Sequence, residues 1–193
     1  MRSVVHVLTL TFLAMVWGGG ENAVAQKTLK GKSLFGSVRA RHIGPAVMSG
    51  RVSDLVASDQ TPELLYVGAA GGGVWKSVNG GAVFFPVFDD HTQSIGKIAI
   101  DPQHDDTVWV GTGEPWVRNS VSVGDGIYRT SNGGSTWEKK GLENTERIAD
   151  LIIHPKESNT LYVGALGHLW NANPDRGVYK TTDGGTTWKK ILF

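Results

Sequence analysis

Two segments of the sequence combine tryptophan with charged and amide side chains, the residue types expected where a protein contacts a ligand. An indole beside arginine or histidine can stack on a sugar ring or a peptide side chain while the polar groups form hydrogen bonds. The candidate ligand-binding residues are Glu114, Trp116, Arg118, Asn119, Arg147, His168, Trp170 and Asn171. The alternative is that Trp116 and Trp170 only fill the bases of their own loops.

Carboxylates near these segments offer a second chemistry. Asp89, Asp90, Glu143 and Glu146 lie in two further connecting segments. Two carboxyl groups about 5–5.5 Å apart, or about 6.5–9.5 Å apart, can hydrolyse a glycosidic bond with retention or inversion of configuration. A sequence supplies no such distance, so no catalytic residue is assigned and the enzyme question stays open.

Composition removes several other classes of function. The formal net charge is +1, which provides no global field to attract nucleic acid. The sequence contains no cysteine, so disulfides and thiolate metal sites are excluded. It also lacks a His-Glu-x-x-His pair, a Gly-x-Ser-x-Gly nucleophile and a phosphate-binding loop. We therefore predict no metal, no cofactor and no nucleic-acid partner.

A gapless motif recurs three times and organises the chain. It reads Ser-Val-Asn-Gly-Gly-Ala-Val-Phe at residues 77–84, Thr-Ser-Asn-Gly-Gly-Ser-Thr-Trp at 130–137 and Thr-Thr-Asp-Gly-Gly-Thr-Thr-Trp at 181–188. The period of 53 and then 51 residues is that of a repeat architecture. Each copy follows three short runs rich in β-branched and aromatic residues, and a fourth run begins at its terminal aromatic residue.

The motif itself predicts a tight hairpin turn. Asn or Asp at its third position can bond to the backbone two residues on, and the two glycines supply positive φ angles. The large terminal ring is expected to cover the seam to the next sheet. The first copy carries Val83 and Phe84 in place of Thr and Trp, so a looser turn is expected there. The residues assigned a structural role are Asn79, Gly81, Asn132, Gly134, Trp137, Asp183, Gly185 and Trp188.

Four strands per repeat of about 50 residues predict an all-β fold, a β-propeller of four-stranded antiparallel blades. The blades are expected at about 51–90, 96–144 and 147–193. A parallel β-helix is disfavoured because its coils are shorter and lack hairpin turn chemistry. In a blade, the connections after strands one and three lie on one rim and those after strands two and four on the other. The candidate ligand-binding residues thus share the rim opposite the repeated turn.

The N-terminal segment is predicted to direct export. Arg2 precedes an apolar run from Val4 to Val16, and Ala23-Val24-Ala25 forms a small-x-small cleavage site, so residues 1–25 are interpreted as a signal peptide. The apolar run is too short to span a membrane, and no membrane insertion is expected after cleavage. Residues 26–50 form a lead-in in which Ser33 to Ala40 could supply a closing strand.

Three blades are fewer than the four to eight of closed propellers, so we interpret the chain as an N-terminal fragment that partners the remaining blades of a longer protein.

The third copy matches the Asp-box, or BNR, pattern Ser/Thr-x-Asp-x-Gly-x-Thr-Trp at every fixed position, and the second departs only at Asn132. The chain from about residue 38 to 193 resembles secreted bacterial BNR-repeat proteins related to sortilin N-terminal propellers, and less closely the xyloglucan-cleaving glycoside hydrolases built from two propellers. The resemblance implies a secreted, periplasmic or cell-surface propeller that binds a peptide or glycan on its loop-rich rim. The alternatives are a xyloglucanase-like glycoside hydrolase and a structural or assembly role at the cell surface.

Overall fold

The computed structural model describes residues 51–118 and 121–193, and within these ranges the chain is all-β apart from one short 3₁₀ helix, Glu143–Thr145. Three four-stranded antiparallel sheets follow one another along the chain, and in each sheet every strand pairs with its sequence neighbour. The predicted signal peptide at 1–25, the lead-in at 26–50 and the proposed strand Ser33–Ala40 lie outside the described residues.

The sheets are named blades in chain order. Blade 1 consists of β1 (Val52–Ala57), β2 (Leu65–Ala69), β3 (Gly73–Ser77) and β4 (Phe85–Pro86). Blade 2 consists of β5 (Ile95–Asp101), β6 (His104–Thr112), β7 (Ile127–Thr130) and β8 (Glu138–Lys139). Blade 3 consists of β9 (Ile148–His154), β10 (Glu157–Ala165), β11 (Gly177–Thr181) and β12 (Lys189–Leu192). The predicted all-β fold of four-stranded propeller blades is confirmed.

The second strands of blades 2 and 3 begin in polar sequence, at His104 and Glu157. In blade 2 the hairpin between β5 and β6 closes tightly, because the Asp101 carboxylate accepts a hydrogen bond from the backbone N–H of Gln103 at 2.9 Å. The first three residues of each of these strands are polar because that end of the hairpin is open to solvent.

The hydrophobic core lies in the two seams between neighbouring blades. One cluster joins Tyr66 and Val74 of blade 1 to Ile98 and Val110 of blade 2. The other joins blades 2 and 3 in the same way. Both core clusters combine side chains from two neighbouring sheets. A single sheet therefore cannot bury its apolar side chains without a neighbour.

The tryptophan that ends the motif fixes each blade to the one before it, not to the next as expected. The indole N–H of Trp137 donates a hydrogen bond to the Val87 carbonyl of blade 1 at 2.7 Å. Trp188 repeats the bond to the Lys140 carbonyl of blade 2 at 2.6 Å. The direction could not be read from sequence because it depends on which face of the sheet the turn approaches.

The three repeated motifs, which we call Asp-box turns after the sequence pattern they resemble, adopt one geometry, including the divergent first copy. Its Gly81 N–H donates to the Ser77 hydroxyl at 3.0 Å, and the Val83 N–H donates to the Asn79 side-chain oxygen at 2.9 Å. The equivalent bonds in blades 2 and 3 have the same lengths. The expected loosening of the first turn is therefore wrong, because these bonds use backbone N–H groups that any residue supplies.

Asn and Asp are interchangeable in the turn because the threonine hydroxyl four residues later can either accept a hydrogen bond from Asn or donate one to Asp. In blade 2 the Asn132 side-chain N–H donates to the Thr136 hydroxyl at 2.8 Å. In blade 3 the Thr187 hydroxyl donates to the Asp183 carboxylate at 2.6 Å. The side-chain and backbone hydrogen bonds from Thr187, with that from Thr181, lower the pKa of Asp183 from 3.8 to about 2.

Replacing Asp183 by Asn, as blade 2 does naturally, should remove an acid-sensitive contribution to stability. Because the folded-state pKa lies below the unfolded value, that contribution is present above about pH 4 and is lost as the pH falls towards about 2. Thermal unfolding of both proteins across this range should show the advantage of the wild type shrinking as the solution is acidified. A difference in melting temperature that stays constant with pH would contradict the assignment.

Candidate functional site

The long connections of blades 2 and 3 meet and enclose a cleft on the rim opposite the Asp-box turns. Its volume is about 500 Å³. Three segments form it: the connection between β6 and β7, the connection from β8 to β9, and the connection between β10 and β11. Its lining comprises Val121, Val123, Glu146, His168, Leu169, Trp170, Asn171 and Ala172. We call this the inter-loop cleft.

His168 and Glu146 form the polar side of the inter-loop cleft, and Asp175 lies behind the histidine ring, outside the lining. His168 Nδ1 lies 2.6 Å from Glu146 Oε1, and His168 Nε2 lies 3.8 Å from Asp175 Oδ2. All three side chains are partly open to solvent. An imidazole nitrogen and the carboxylate oxygens are all groups that can form hydrogen bonds with ligand hydroxyls.

Trp170 supplies the apolar side. The side chain is 75% exposed, which is unusual for so large an aromatic residue and leaves its ring available for stacking. Asn171 follows it in a left-handed backbone conformation, with a φ of 70°, and is also exposed. The structure thus brings together three of the predicted ligand-binding residues, His168, Trp170 and Asn171.

Glu146 is held in an uncommon backbone conformation, with φ 54° and ψ −34°. It is not among the predicted ligand-binding residues. Its carbonyl accepts a hydrogen bond from the Gly124 N–H at 2.6 Å. A Cβ at Gly113 would collide with the same carbonyl, so that glycine is required for the close approach. Backbone strain of this kind concentrates at functional sites. The sequence indicates Glu146 only as one of the loop carboxylates, because its contacts with the two glycines join segments that are distant in sequence.

Arg147 is buried next to the cleft and is not part of the cleft lining. Its side chain is only 2% exposed, and its Nε–H donates to the Gly167 carbonyl at 2.8 Å, directly before His168. Burial lowers the pKa of this guanidinium, and the nearby Glu146 carboxylate opposes the change. Burial favours a positioning role for Arg147 over the predicted ligand-binding role, because its Nε–H bonds to the loop that carries His168.

The blade 2 segment is also revised. Glu114 is 1% exposed and forms ion pairs with Arg51 and Arg118, the latter with Nε 3.1 Å from Oε1. A carboxylate so enclosed and paired positions its loop, and its burial argues against the predicted contact with a ligand. Trp116 is 66% exposed, but neither it nor Arg118 belongs to the lining of the inter-loop cleft among the residues described. Asn119 lies outside the described residues.

The first pair of predicted carboxylates lies elsewhere. Asp89 and Asp90 line a separate groove of about 460 Å³ with Pro86 and Trp137.

Over residues 51–118 and 121–193, no group of three or more metal-ligating side chains is arranged to hold a metal ion. In the same ranges no helix is long and apolar enough to cross a bilayer.

Comparison with characterised proteins relates the chain to enzymes that act on xyloglucan. It is 34% identical over 110 residues to a xyloglucanase of Hypocrea jecorina, which covers 52% of this chain and 12% of that protein. It is 26% identical over 163 residues to a xyloglucanase of Acetivibrio thermocellus, which covers 74% of this chain and 18% of that protein. No family model matches the chain.

The fold comparison agrees. An ancestral GH74 enzyme superposes with a TM-score of 0.57 at 22% identity, covering 77% of this chain and 19% of that one. At this identity the likeness establishes the propeller fold alone. The homologues found are glycoside hydrolases, and this favours the hydrolase alternative over the interaction module that the sequence interpretation placed first. The chain spans less than a fifth of the relatives it matches.

Proposed function

We propose that the protein binds a polysaccharide of the xyloglucan type in the inter-loop cleft, as part of a glycoside hydrolase-like propeller. The observation that carries this proposal is the exposed Trp170 ring beside the polar Glu146–His168 pair. Flat sugar faces stack on such a ring, while hydroxyl groups need the few well-placed acceptors beside it. The xyloglucanase relatives support a glycan over a peptide as the ligand.

Binding is tested by calorimetric titration of the protein with xyloglucan oligosaccharides, with dextran as the control polysaccharide. Saturable binding to the xyloglucan fragments, with none to dextran, is the expected result, because β-linked glucans present flat ring faces and the α-linked control does not. Equal heats for both, or none for either at millimolar ligand, would overturn the proposal.

A second candidate function is hydrolysis at the same cleft. Glu146 lines the cleft and Asp175 lies at its margin, 3.8 Å from His168 Nε2, and glycoside hydrolysis requires two carboxyl groups beside one bound sugar. Release of reducing ends from xyloglucan should then fall to background in both Glu146→Gln and Asp175→Asn. Glu138→Gln, which changes an exposed carboxylate away from the cleft, is the matched control and should retain activity. Binding without any release would leave the protein as a polysaccharide-binding module.

Export fits this function, because a polysaccharide of that kind is met outside the cell. The signal peptide proposed at residues 1–25 would bring the protein there. A role in surface assembly, and the kinship to sortilin-like BNR proteins, remain predictions from the sequence.

A further inference from the structure

Two of the three Asp-box turns contain an Asn-Gly bond, a dipeptide prone to spontaneous deamidation because glycine has no side chain to shield its backbone nitrogen. The bonds are Asn79-Gly80 and Asn132-Gly133, and a second glycine follows in both. The sequence contains no other Asn-Gly pair. In the unfolded chain the two sites therefore have nearly equal reactivity, and a difference between them must come from the fold.

The reaction requires each turn to open, because the glycine nitrogen must reach Cγ of the preceding asparagine. The Gly80 N–H donates to the Glu63 carbonyl at 3.0 Å, and the Gly133 N–H donates to the Asp106 carbonyl at 2.9 Å. Each asparagine Oδ1 also accepts hydrogen bonds from the hydroxyl two residues before it and from the N–H four residues after it. The rate of deamidation at each site is therefore set by how often its turn opens.

The blade 2 turn has a restraint that the blade 1 turn lacks. The Asn132 Nδ2–H donates to the Thr136 hydroxyl at 2.8 Å. The equivalent residue of blade 1 is Val83, whose side chain has no oxygen to accept a hydrogen bond from Asn79 Nδ2. The amide nitrogen that leaves during deamidation is thus held in blade 2 and not held in this way in blade 1.

The blade 2 turn is also fixed to the sheet before it. The Gly133 carbonyl accepts hydrogen bonds from the Tyr66 hydroxyl at 3.2 Å and from the Lys76 ammonium at 2.9 Å. Tyr66 is fully buried in the seam between blades 1 and 2. Opening of the blade 2 turn therefore breaks contacts of the seam as well as those within the turn.

We propose that Asn79 is a site of spontaneous deamidation in the folded protein and that the fold protects Asn132. The Gly80 nitrogen, after passing its proton to solvent, attacks Cγ of Asn79, a C–N bond forms, and the bond from Cγ to Nδ2 breaks with release of ammonia. Water then opens the cyclic imide at one of its two carbonyls, which gives aspartate or isoaspartate. Water is the co-reactant, and the side-chain amide becomes a carboxylic acid.

The two products differ in their effect on blade 1. Aspartate fits the turn, since Asp183 occupies this position in blade 3 and its turn keeps the same backbone hydrogen bonds at 3.0 Å and 2.9 Å. Isoaspartate adds a methylene to the main chain directly before Gly80 and Gly81, whose φ values of 67° and 88° close the turn. The isoaspartate product should therefore lower the melting temperature, and the aspartate product should not.

The test is peptide mass spectrometry of the purified protein during prolonged incubation at mildly alkaline pH. Asn79 should be converted at least about fivefold faster than Asn132, since one hydrogen bond contributes about 1 kcal/mol. The control is the same incubation in concentrated urea, where the two sites should react at nearly equal rates. Asn79→Asp should show no change of mass at this peptide.

Reciprocal variants assign the difference to the turn itself. Val83→Thr supplies the missing hydroxyl and should slow deamidation of Asn79 about fivefold. Thr136→Val removes the hydroxyl and should speed deamidation of Asn132 by a similar factor. Each variant changes a contact within its own turn, so its effect does not depend on what packs against blade 1. Circular dichroism confirms that both variants are folded.

Three outcomes would overturn the proposal. The first is equal rates at the two sites in the folded protein. The second is an Asn79 peptide that stays unmodified while the urea control is converted, which would mean that the first turn protects its asparagine fully. The third is a pair of folded variants, Val83→Thr and Thr136→Val, that both react at the wild-type rates.

Discussion

Trp188→Ala should lower the free energy of unfolding by about 3 kcal/mol, since removing a large aromatic ring from a core costs about 3–5 kcal/mol and this ring is only partly buried. The ring packs into the seam between blades 2 and 3, and its indole N–H bonds to the Lys140 carbonyl at 2.6 Å. Both the apolar contact and the bond are lost in the variant. Chemical denaturation monitored by circular dichroism measures the effect.

Trp188→Phe is the matched control, because blade 1 carries Phe84 at this position of the motif. It keeps most of the apolar contact and removes the indole hydrogen bond, so the loss should be about 1 kcal/mol. If the two variants were equally destabilised, the seam would depend on the hydrogen bond and not on the ring. If neither were destabilised, Trp188 would not hold the blades together.

Trp170→Ala should weaken the binding of xyloglucan oligosaccharides about 30-fold. An exposed aromatic residue that anchors a ligand contributes about 2 kcal/mol or more, and each 1.4 kcal/mol changes the dissociation constant tenfold. Trp170 is 75% exposed, so its removal leaves the free energy of unfolding almost unchanged. Calorimetric titration of the variant against the wild type measures the change.

Trp116→Ala is the control for that prediction. Its side chain is 66% exposed and lies in the corresponding connection of blade 2, but it does not line the inter-loop cleft among the described residues. Its affinity should match the wild type. A loss of affinity in Trp116→Ala equal to that in Trp170→Ala would show that the ligand spans both connections, as the sequence first suggested.

The fold could be predicted because its determinants are local. Each Asp-box turn is specified within eight residues by an Asx side chain and two glycines at positive φ, and blade 1 forms it even with Val83 and Phe84. Strand pairing follows because each strand bonds to its sequence neighbour. The direction of the Trp seams could not be predicted, since it depends on the approach of one complete sheet to another.

The site was predictable only in part because its determinants are distant in sequence. Glu114 resembles a ligand-binding acid until Arg51, from the start of β1, is placed beside it. Arg147 resembles a ligand-binding cation until its burial and its hydrogen bond to the Gly167 carbonyl are known. Glu146 acquires its conformation from Gly124, in another connection. That His168 and Trp170 share one surface could be predicted, because they lie in one long loop.

The most direct test of the central claim is to follow the tryptophan side-chain N–H signals by nuclear magnetic resonance while xyloglucan oligosaccharide is added. The signal of Trp170 should move progressively to saturation, while those of Trp137 and Trp188, whose N–H groups are bonded within the blade seams, should stay in place. Movement confined to the seam tryptophans, or a Trp170 signal unchanged at saturation, would contradict a glycan site in the inter-loop cleft.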